Sequence, residues 1–302
     1  YNAPAIHGNP HLDAIFAYTK GKHAAGESVW QAYWRRMKLL WQLRQMKFDF
    51  VLLASSGFAG RALKLAKLLA PQHIVGFVTE QASSAKIDLA IPHGTGSKLH
   101  ETADMYRLLE PLAILNEIPG LTVVADSALA ARLRQPLPAN VAHGSGPLVA
   151  LHISARKEKQ RWPVERFAEL AQRLHAQHAA RFLVFWSPGD ENNPFHPGDD
   201  GKAAHLLAAL ADLPAALLRT EQLSELIAGL SLCDAAVLSD GGAMHVAAGL
   251  GKPLVCFFGN SSAERWHPWG VPHELLQKPS REVAEISVDE AVDAFARMMH
   301  RR

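Results

Sequence analysis

The sequence predicts an α/β fold, two parallel-sheet units in tandem joined by a linker near the middle of the chain. Three observations carry this. The stretch from Asp234 to Pro268, DAAVLSDGGAMHVAAGLGKPLVCFFGNSSAERWHP, reads as strand, turn, helix, strand, the repeat from which parallel sheets are built. Short apolar runs alternate with helix-length amphipathic stretches on both sides of an interval punctuated by Gln135-Pro136-Leu137-Pro138 and Gly144-Ser145-Gly146-Pro147. And 302 residues suffice for two separate cores. The expected units are 1–137 and 138–286, with a terminal helix in 287–302.

In chain order, the first residues read as a loop and a short strand at Ala14 to Tyr18. An α/β unit ordinarily opens on a strand and a Gly-rich turn, which these residues do not contain, so the sequence is expected to begin inside a unit. Glu27 to Lys47 is a long helix with Val29, Tyr33, Met37, Leu40, Trp41 and Leu43 near one face. Arg35, Arg36, Lys38, Arg44 and Lys47 make the remainder strongly basic. A charged face of this kind is usually just solvated; contact with a phosphorylated lipid or an anionic membrane is the sharper alternative. Phe48 to Ala54 is a strand, Ser55-Ser56-Gly57 its turn, Phe58 to Leu69 a helix and His73 to Val78 the next strand. Ser83 to Lys98 is polar, Gly-rich and aperiodic, hence a loop. A helix from Lys98 to Glu110 carries His100, Glu101 and Arg107 and stops before Pro111, because a residue preceding proline is driven out of the helical region. Gly120 to Ala125 is the last strand expected in this unit.

The second unit begins with the strand Leu148 to Ile153, which runs into Ser154-Ala155-Arg156-Lys157-Glu158-Lys159-Gln160-Arg161-Trp162-Pro163. Pro163 suits the first turn of the helix that continues to Gln177. Cations at the carboxyl end of a strand are what a diphosphate needs, since charge-assisted hydrogen bonds are the strong ones. Arg181 to Trp186 is a strand ending at Asp190 and Glu191, either of which suits ribose hydroxyls. Asn192 to Asp200 reads as an inserted loop. Lys202 to Leu210 is a helix, Ala215 to Leu218 a strand and Leu223 to Leu230 a helix. Then Ala235 to Leu238, the turn Ser239-Asp240-Gly241-Gly242, a small-residue helix and the strand Leu254 to Phe258 complete the central repeat. At that turn, free backbone N–H groups and the positive end of a helix dipole favour an anion, and glycines let it reach the backbone. Asp240 can accept hydrogen bonds from sugar hydroxyls or cap the helix. Ser287-Val288-Asp289-Glu290 is a capping box for an amphipathic helix to His300.

Composition narrows the class. A formal charge of +2 demands no nucleic acid. Cys233 and Cys256 both sit in apolar strands and read as buried thiols of a reducing compartment. No apolar run reaches the ~18 residues of a membrane span, and no signal peptide is evident. Gly198-Asp199-Asp200 lacks a neighbouring ligand set, so no metal site is expected.

Asp240-Gly241-Gly242-Ala243-Met244-His245, followed by Ala247-Ala248, Lys252-Pro253, Phe258-Gly259 and Trp266-His267-Pro268, resembles the donor-site signature of the ADP-heptose:lipopolysaccharide heptosyltransferases, glycosyltransferase family 9. Gly241 departs from the family's usual Asp-Thr-Gly or Asp-Ser-Gly. The resemblance implies the GT-B architecture, two Rossmann-like domains facing a cleft, with the terminal helix crossing back to the first. It implies inverting transfer of a heptose or similar sugar from an ADP-sugar, with no cofactor beyond that co-substrate, to a lipopolysaccharide core or lipid A precursor. The place implied is the cytoplasm, with peripheral contact at the inner membrane.

The donor would be held by Ser154, Lys159, Arg161, Glu191, Asp240, Gly241, Gly242, Met244 and His245. Lys159 is favoured over Arg161 for the family's phosphate-gripping lysine, and the match tips His245 towards the donor pocket. His100 and Arg107 are acceptor candidates; His100 either meets acceptor phosphate or caps its helix. The carboxylate usually regarded as the family's base lies before this stretch and is not in this sequence. A sugar-nucleotide epimerase of the same fold and a catalytically silent sugar-nucleotide binder are the alternatives.

Overall fold

The structure, a computed structural model, describes residues 2–17, 28–79, 87–93, 98–191 and 198–301. It divides into two compact units, Ala14–Ile118 on the one hand and Pro119–Arg302 with Tyr1–Asp13 on the other.

The smaller unit is built on a parallel sheet of three strands. Helix α1 (Val29–Gln45) opens with a capping box in which Ser28 Oγ accepts the Gln31 N–H. Strand β1 (Phe50–Leu53), helix α2 (Gly60–Leu69), β2 (His73–Val78), β3 (Leu89–Pro92) and helix α3 (Glu101–Tyr106) follow. The strand order is β1-β2-β3. Leu53, Leu63, Ala66, Ile74 and Ile87 form one buried cluster. Val75, Phe77, Ile91 and Leu108 form a second.

Several expectations are corrected here. Residues 14–17 make no strand, and Tyr18 and Glu27 lie outside the described residues. The aperiodic stretch after Ser83 contains β3, paired along β2 from Val75↔Leu89 to Val78↔Pro92. The helix at His100 is short and tightens into a 3-10 turn, Arg107–Leu112, with Pro111 inside it. In α1 the half-buried residues are Ala32, Leu39, Leu40 and Leu43, while Tyr33, Met37 and Trp41 are exposed.

The larger unit continues with α4 (Ser127–Arg134), α5 (Ala139–Ala142), β4 (Leu148–His152), α6 (Val164–His178), β5 (Arg181–Phe185), α7 (Asp200–Ala209) and β6 (Ala215–Leu217). Next come α8 (Leu223–Ser231), β7 (Ala235–Ser239), α9 (Gly242–Gly249), β8 (Leu254–Phe258), α10 (Ala263–Trp266), β9 (His273–Gln277) and α11 (Val288–His300). Six strands run parallel in the order β6-β5-β4-β7-β8-β9. Strands β5, β7 and β8 are buried at every residue, as a sheet covered on both faces requires. One apolar layer gathers Leu151, Phe167, Leu174, Phe182, Val237, Phe257 and Phe295; the other gathers Ala150, Leu183, Phe185, Leu238, Met244, Cys256 and Phe258. Gly251, at φ 72, supplies the left-handed residue that ends α9 before Pro253.

The boundary falls at Ile118/Pro119, not at residue 137. Gly120 to Ala125, expected as a strand, pairs with no strand; the Val123 N–H donates to Gly249 O at 2.8 Å, and Leu121, Val123 and Ala125 pack on the larger unit's core. The expected linker holds α5, preceded by α4, which lies along α8. The terminal helix α11 is grouped with the larger unit, where it meets α6, β8 and β9 and buries Ala291, Ala294, Phe295 and Met298. Residues near the start of the chain join this unit too: the Ala3–Ala5 turn lies against α8, and Asn9 Nδ2 donates to Thr122 O.

Candidate functional site

Strand β4 leads to β5 and β6 on one side of the larger sheet, and β7 leads to β8 and β9 on the other. Between β4 and β7 the direction of winding therefore reverses. At such a switch point the loops beyond the strands' carboxyl ends diverge and leave a crevice, where open α/β sheets take ligands. Here the loop after β4 (residues 153–161) and the turn after β7 (residues 239–242) stand side by side, with His152 paired to Leu238.

One side chain joins them. Gln160 is buried, and its amide nitrogen donates to Asp240 Oδ2 at 2.7 Å and to Ser261 Oγ at 2.8 Å. The backbone beneath it is close-packed against the end of β8: a Cβ on Gly259 would lie 2.5 Å from Lys159 O. Trp162 anchors the same loop from the core side, with its indole N–H on Ile286 O at 2.9 Å and its ring against Phe167 and Phe257. The crevice floor is thus fixed by three segments far apart in sequence.

Helix α9 rises from this floor. No side chain caps it; Gly241 is the N-cap residue and its φ of 161 is ordinary extended backbone. Cβ atoms built on Gly241 and Gly242 meet nothing within 4 Å. Packing and backbone geometry leave space for side chains at both positions, so the fold has no need of glycine there. Asp240, which the sequence left between cap and ligand, does not cap α9; its carboxylate is held by Gln160. Met244 points into the core and is fully buried, which corrects its assignment to the donor pocket. His245 lies edge-on to Trp266 at 6.1 Å, and burial lowers its pKa against the opposing pull of Asp240.

The remaining candidates spread around the crevice. Ser154 Oγ accepts the Ser187 N–H at 2.8 Å, tying the β4 and β5 loops together. Lys159 is 54 % exposed at its side chain and pairs with Glu282 at 2.6 Å, a contact that raises its pKa. Arg161 turns back to donate to Ala155 O at 3.0 Å. Glu191 is exposed, 4.0 Å from Lys202. Asp199 is held by Lys202, and Asp200 accepts the Trp186 indole N–H at 2.6 Å, which lowers its pKa. Desolvation holds His152, at the end of β4, down at about 4. Among the described residues, no three His, Cys, Asp or Glu side chains gather as a metal-ligand set. Burial pushes Cys233 up to about 12 and Cys256 well above its ordinary value, so both thiols are protonated.

In the smaller unit, His100 Nδ1 accepts the Thr102 N–H at 3.1 Å and so caps α3. Glu101 accepts from Ser56, in the turn after β1. Arg107 bonds Asp104 at 3.2 Å and Pro92 O at 2.9 Å, with its guanidinium over the Phe77 ring. Asp104, fully buried, is also 2.9 Å from His93 Nε2. Sequence reasoning missed His93 and Asp104, as it missed Gln160 and Ser261. For Gln160 a signal existed, an uncharged residue between Lys159 and Arg161 in an otherwise charged run.

The sequence profile of glycosyltransferase family 9 (heptosyltransferase) matches residues 36–291. Lipopolysaccharide heptosyltransferase 2 of Salmonella typhimurium is 34 % identical over 109 residues, 35 % of this chain and 28 % of that protein's length. The glycosyl transferase family 9 structure from Veillonella parvula superposes with a TM-score of 0.73 at 17 % identity, covering 99 % of this chain and 86 % of that one. E. coli heptosyltransferase WaaC with ADP superposes with a TM-score of 0.63 at 18 % identity, covering 91 % and 80 %. These likenesses place both α/β units in the GT-B fold class.

Proposed function

Since this chain belongs to glycosyltransferase family 9, the heptosyltransferases, we propose that it moves a heptose, or a closely similar sugar, from an ADP-sugar to a lipopolysaccharide core acceptor. The observation that carries the donor assignment is the start of α9. Two glycines that the fold does not require stand beside a clamped carboxylate, at an uncapped helix N-terminus in the switch-point crevice. A phosphate taking the backbone N–H groups of that turn would occupy the space a side chain would fill. Asp240, oriented by Gln160, would take sugar hydroxyls, and Lys159 and Arg161 would meet the diphosphate from the opposite loop.

In the proposed reaction an acceptor hydroxyl oxygen bonds to the anomeric carbon with inversion. The bond to the diphosphate oxygen breaks and ADP departs with the electron pair. Charge grows on the leaving group as that bond lengthens, so N–H dipoles and cations aimed at it stabilise the transition state more than the ground state. Those groups belong to the chain, and the proposal is that donor binding needs no divalent cation. Acceptor recognition is assigned to the smaller unit, with Arg107 and His100 as its candidates. Action in the cytoplasm, a reducing compartment, fits two free, buried cysteines.

Titration calorimetry in EDTA tests the donor: ADP is expected to bind more tightly than UDP or GDP. Release of ADP from ADP-heptose, dependent on added lipopolysaccharide core acceptor, tests the transfer. Preference for UDP, or ADP binding only after Mg²⁺ is added, would overturn the donor assignment; ADP release that ignores the acceptor would overturn the transfer.

A further inference from the structure

We propose that His93, oriented by the buried Asp104, takes the proton from the acceptor hydroxyl as the new glycosidic bond forms. This role rests on the glycosyl transfer proposed above. His93 follows β3 directly, and its N–H donates to Val78 O at 2.9 Å, which ties the end of β3 to the end of β2. The carboxyl end of a parallel sheet is where α/β units take ligands. There the imidazole lies edge-on to Phe77 with ring centroids 5.0 Å apart, and 14 % of the side chain is exposed. Its Nε2 is 2.9 Å from Asp104 Oδ2, and the Asp104 side chain has no exposed surface. The other carboxylate oxygen accepts from Arg107 at 3.2 Å, and Arg107 is in turn fixed by Pro92 O and the face of Phe77. Asp104 is therefore held at both oxygens and keeps its direction towards the imidazole. Of the neighbouring ionisable groups, Glu101 accepts from Ser56 and His100 accepts the Thr102 N–H.

The tautomer follows from that contact. A carboxylate only accepts, so the ring hydrogen sits on Nε2 and Nδ1 is left as a bare lone pair. Among the described residues Nδ1 makes no hydrogen bond, whereas a pair serving only the fold would be expected to satisfy both ring nitrogens. Nδ1 looks towards the turn after β1, where Gly57 stands at φ 103 and a Cβ would lie 3.7 Å away. That backbone conformation requires glycine, and the missing side chain keeps the approach to Nδ1 clear. A lone pair selects a donor rather than an anion, and Arg107, the cation of this cluster, is engaged by Asp104 and Pro92 O. An alcohol O–H fits. In the step itself the hydroxyl oxygen bonds to the anomeric carbon and its proton passes to Nδ1. The bond from that carbon to the diphosphate oxygen breaks, and its electron pair leaves with ADP. The resulting imidazolium faces the Asp104 carboxylate, which stabilises the charge without taking the proton; solvent removes the proton afterwards. Asp104 touches no reacting atom and is a positioning residue.

Acceptor-dependent ADP release from ADP-heptose by the intact chain tests the role. His93→Gln keeps an amide N–H for Asp104 and should melt like wild type. It should lose kcat by about 10²- to 10⁴-fold, the range for a general base, with KM little changed. Its ADP affinity by calorimetry should equal that of wild type. Wild-type kcat/KM should fall as acid protonates the imidazole, and His93→Gln should lack that limb. His93→Ala should be partly restored by imidazole in solution, and further by the more basic 4-methylimidazole, a ranking that a merely structural gap would not produce. Nitrogen-15 spectra of histidine-labelled protein read the tautomer without any turnover. The hydrogen should sit on Nε2 in wild type and move to Nδ1 in Asp104→Asn, whose amide donates where the carboxylate accepted. A wild-type hydrogen on Nδ1 overturns the role whatever the activity, and so does loss of activity that no imidazole restores. ADP release undiminished in His93→Gln overturns it while leaving the transfer standing. Wild-type protein that releases no ADP with acceptor present removes the transfer and this role together.

Discussion

Gln160 and Asp240 lie 80 residues apart in the chain, and the amide of one stands 2.7 Å from the carboxylate of the other. That bond joins the two loops of the switch-point crevice and sets the direction in which the carboxylate points. Gln160→Ala should lower stability by roughly 1–2 kcal/mol, the range for a partner lost from a part-buried hydrogen bond. It should also weaken ADP-sugar binding more than ADP binding. Gln160→Glu sets a second carboxylate against Asp240, so its melting temperature should fall at neutral pH and recover in mild acid. Thermal scans at two pH values and calorimetry with both ligands check this; a Gln160→Glu variant as stable as wild type at neutral pH would remove the clamp.

Lys159 faces a choice between Glu282 and a diphosphate. If it grips the donor, Lys159→Ala should weaken ADP binding about ten-fold or more, as for a hydrogen bond to a charged group. Glu282→Gln releases the ammonium and should tighten ADP binding. Calorimetry on both variants and on Arg161→Ala decides. Loss at Arg161 with no change at Lys159 reverses the assignment.

Gly242→Val should leave the melting temperature close to wild type, because a Cβ there meets nothing within 4 Å. ADP affinity should collapse if phosphate occupies that space. Asp240→Asn keeps an oxygen for the Gln160 amide to bond and should also melt normally, yet lose transfer activity. Normal ADP binding by Gly242→Val would move the anion seat elsewhere; an early-melting Asp240→Asn with intact donor affinity would make Asp240 structural.

His152 gives a pH signature. Its folded pKa, about 4, is below the ordinary 6.5, so the unfolded chain takes up the proton first and acid favours unfolding. The penalty is absent above pH 6.5, grows as pH falls through that value, and levels off below about 4 at roughly 3 kcal/mol. His152→Gln should flatten the fall in stability between those pH values, measured by denaturant titration at each pH. An unchanged slope would show that His152 does not titrate in this way.

The sheet of the larger unit was legible because β4, β5, β7 and β8 are continuous apolar runs between turn residues. The strands that sequence missed, β3 and β9, lie at the sheet edges: Leu89–Pro92 ends in proline, and His273–Gln277 is half-buried throughout. Gly120 to Ala125 misled in the other direction. Leu121, Val123 and Ala125 are half-buried, but against α9 and the core rather than in a ladder, and alternate burial alone does not distinguish the two. The boundary eluded reading because Pro and Gly mark turns wherever they occur, whereas a unit is defined by what packs on what. In the candidate site, the Asp240-Gly241-Gly242 turn announced itself through its glycines. Gln160 did not, since its importance lies in reaching Asp240 and Ser261 across the fold.

The contacts of residues 3–9 with Thr122 and α8 bear on how the molecule is made. In translation the carbonyl that Asn9 meets emerges 113 residues after Asn9 itself. In the meantime Ala14–Ile118 can condense on its own local contacts, as domains do while a chain is still growing. The larger body then closes around material from both sides of that insertion. A chain interrupted between Ile118 and Thr122 would therefore carry residues 3–9 without Thr122 or α8 to lie against.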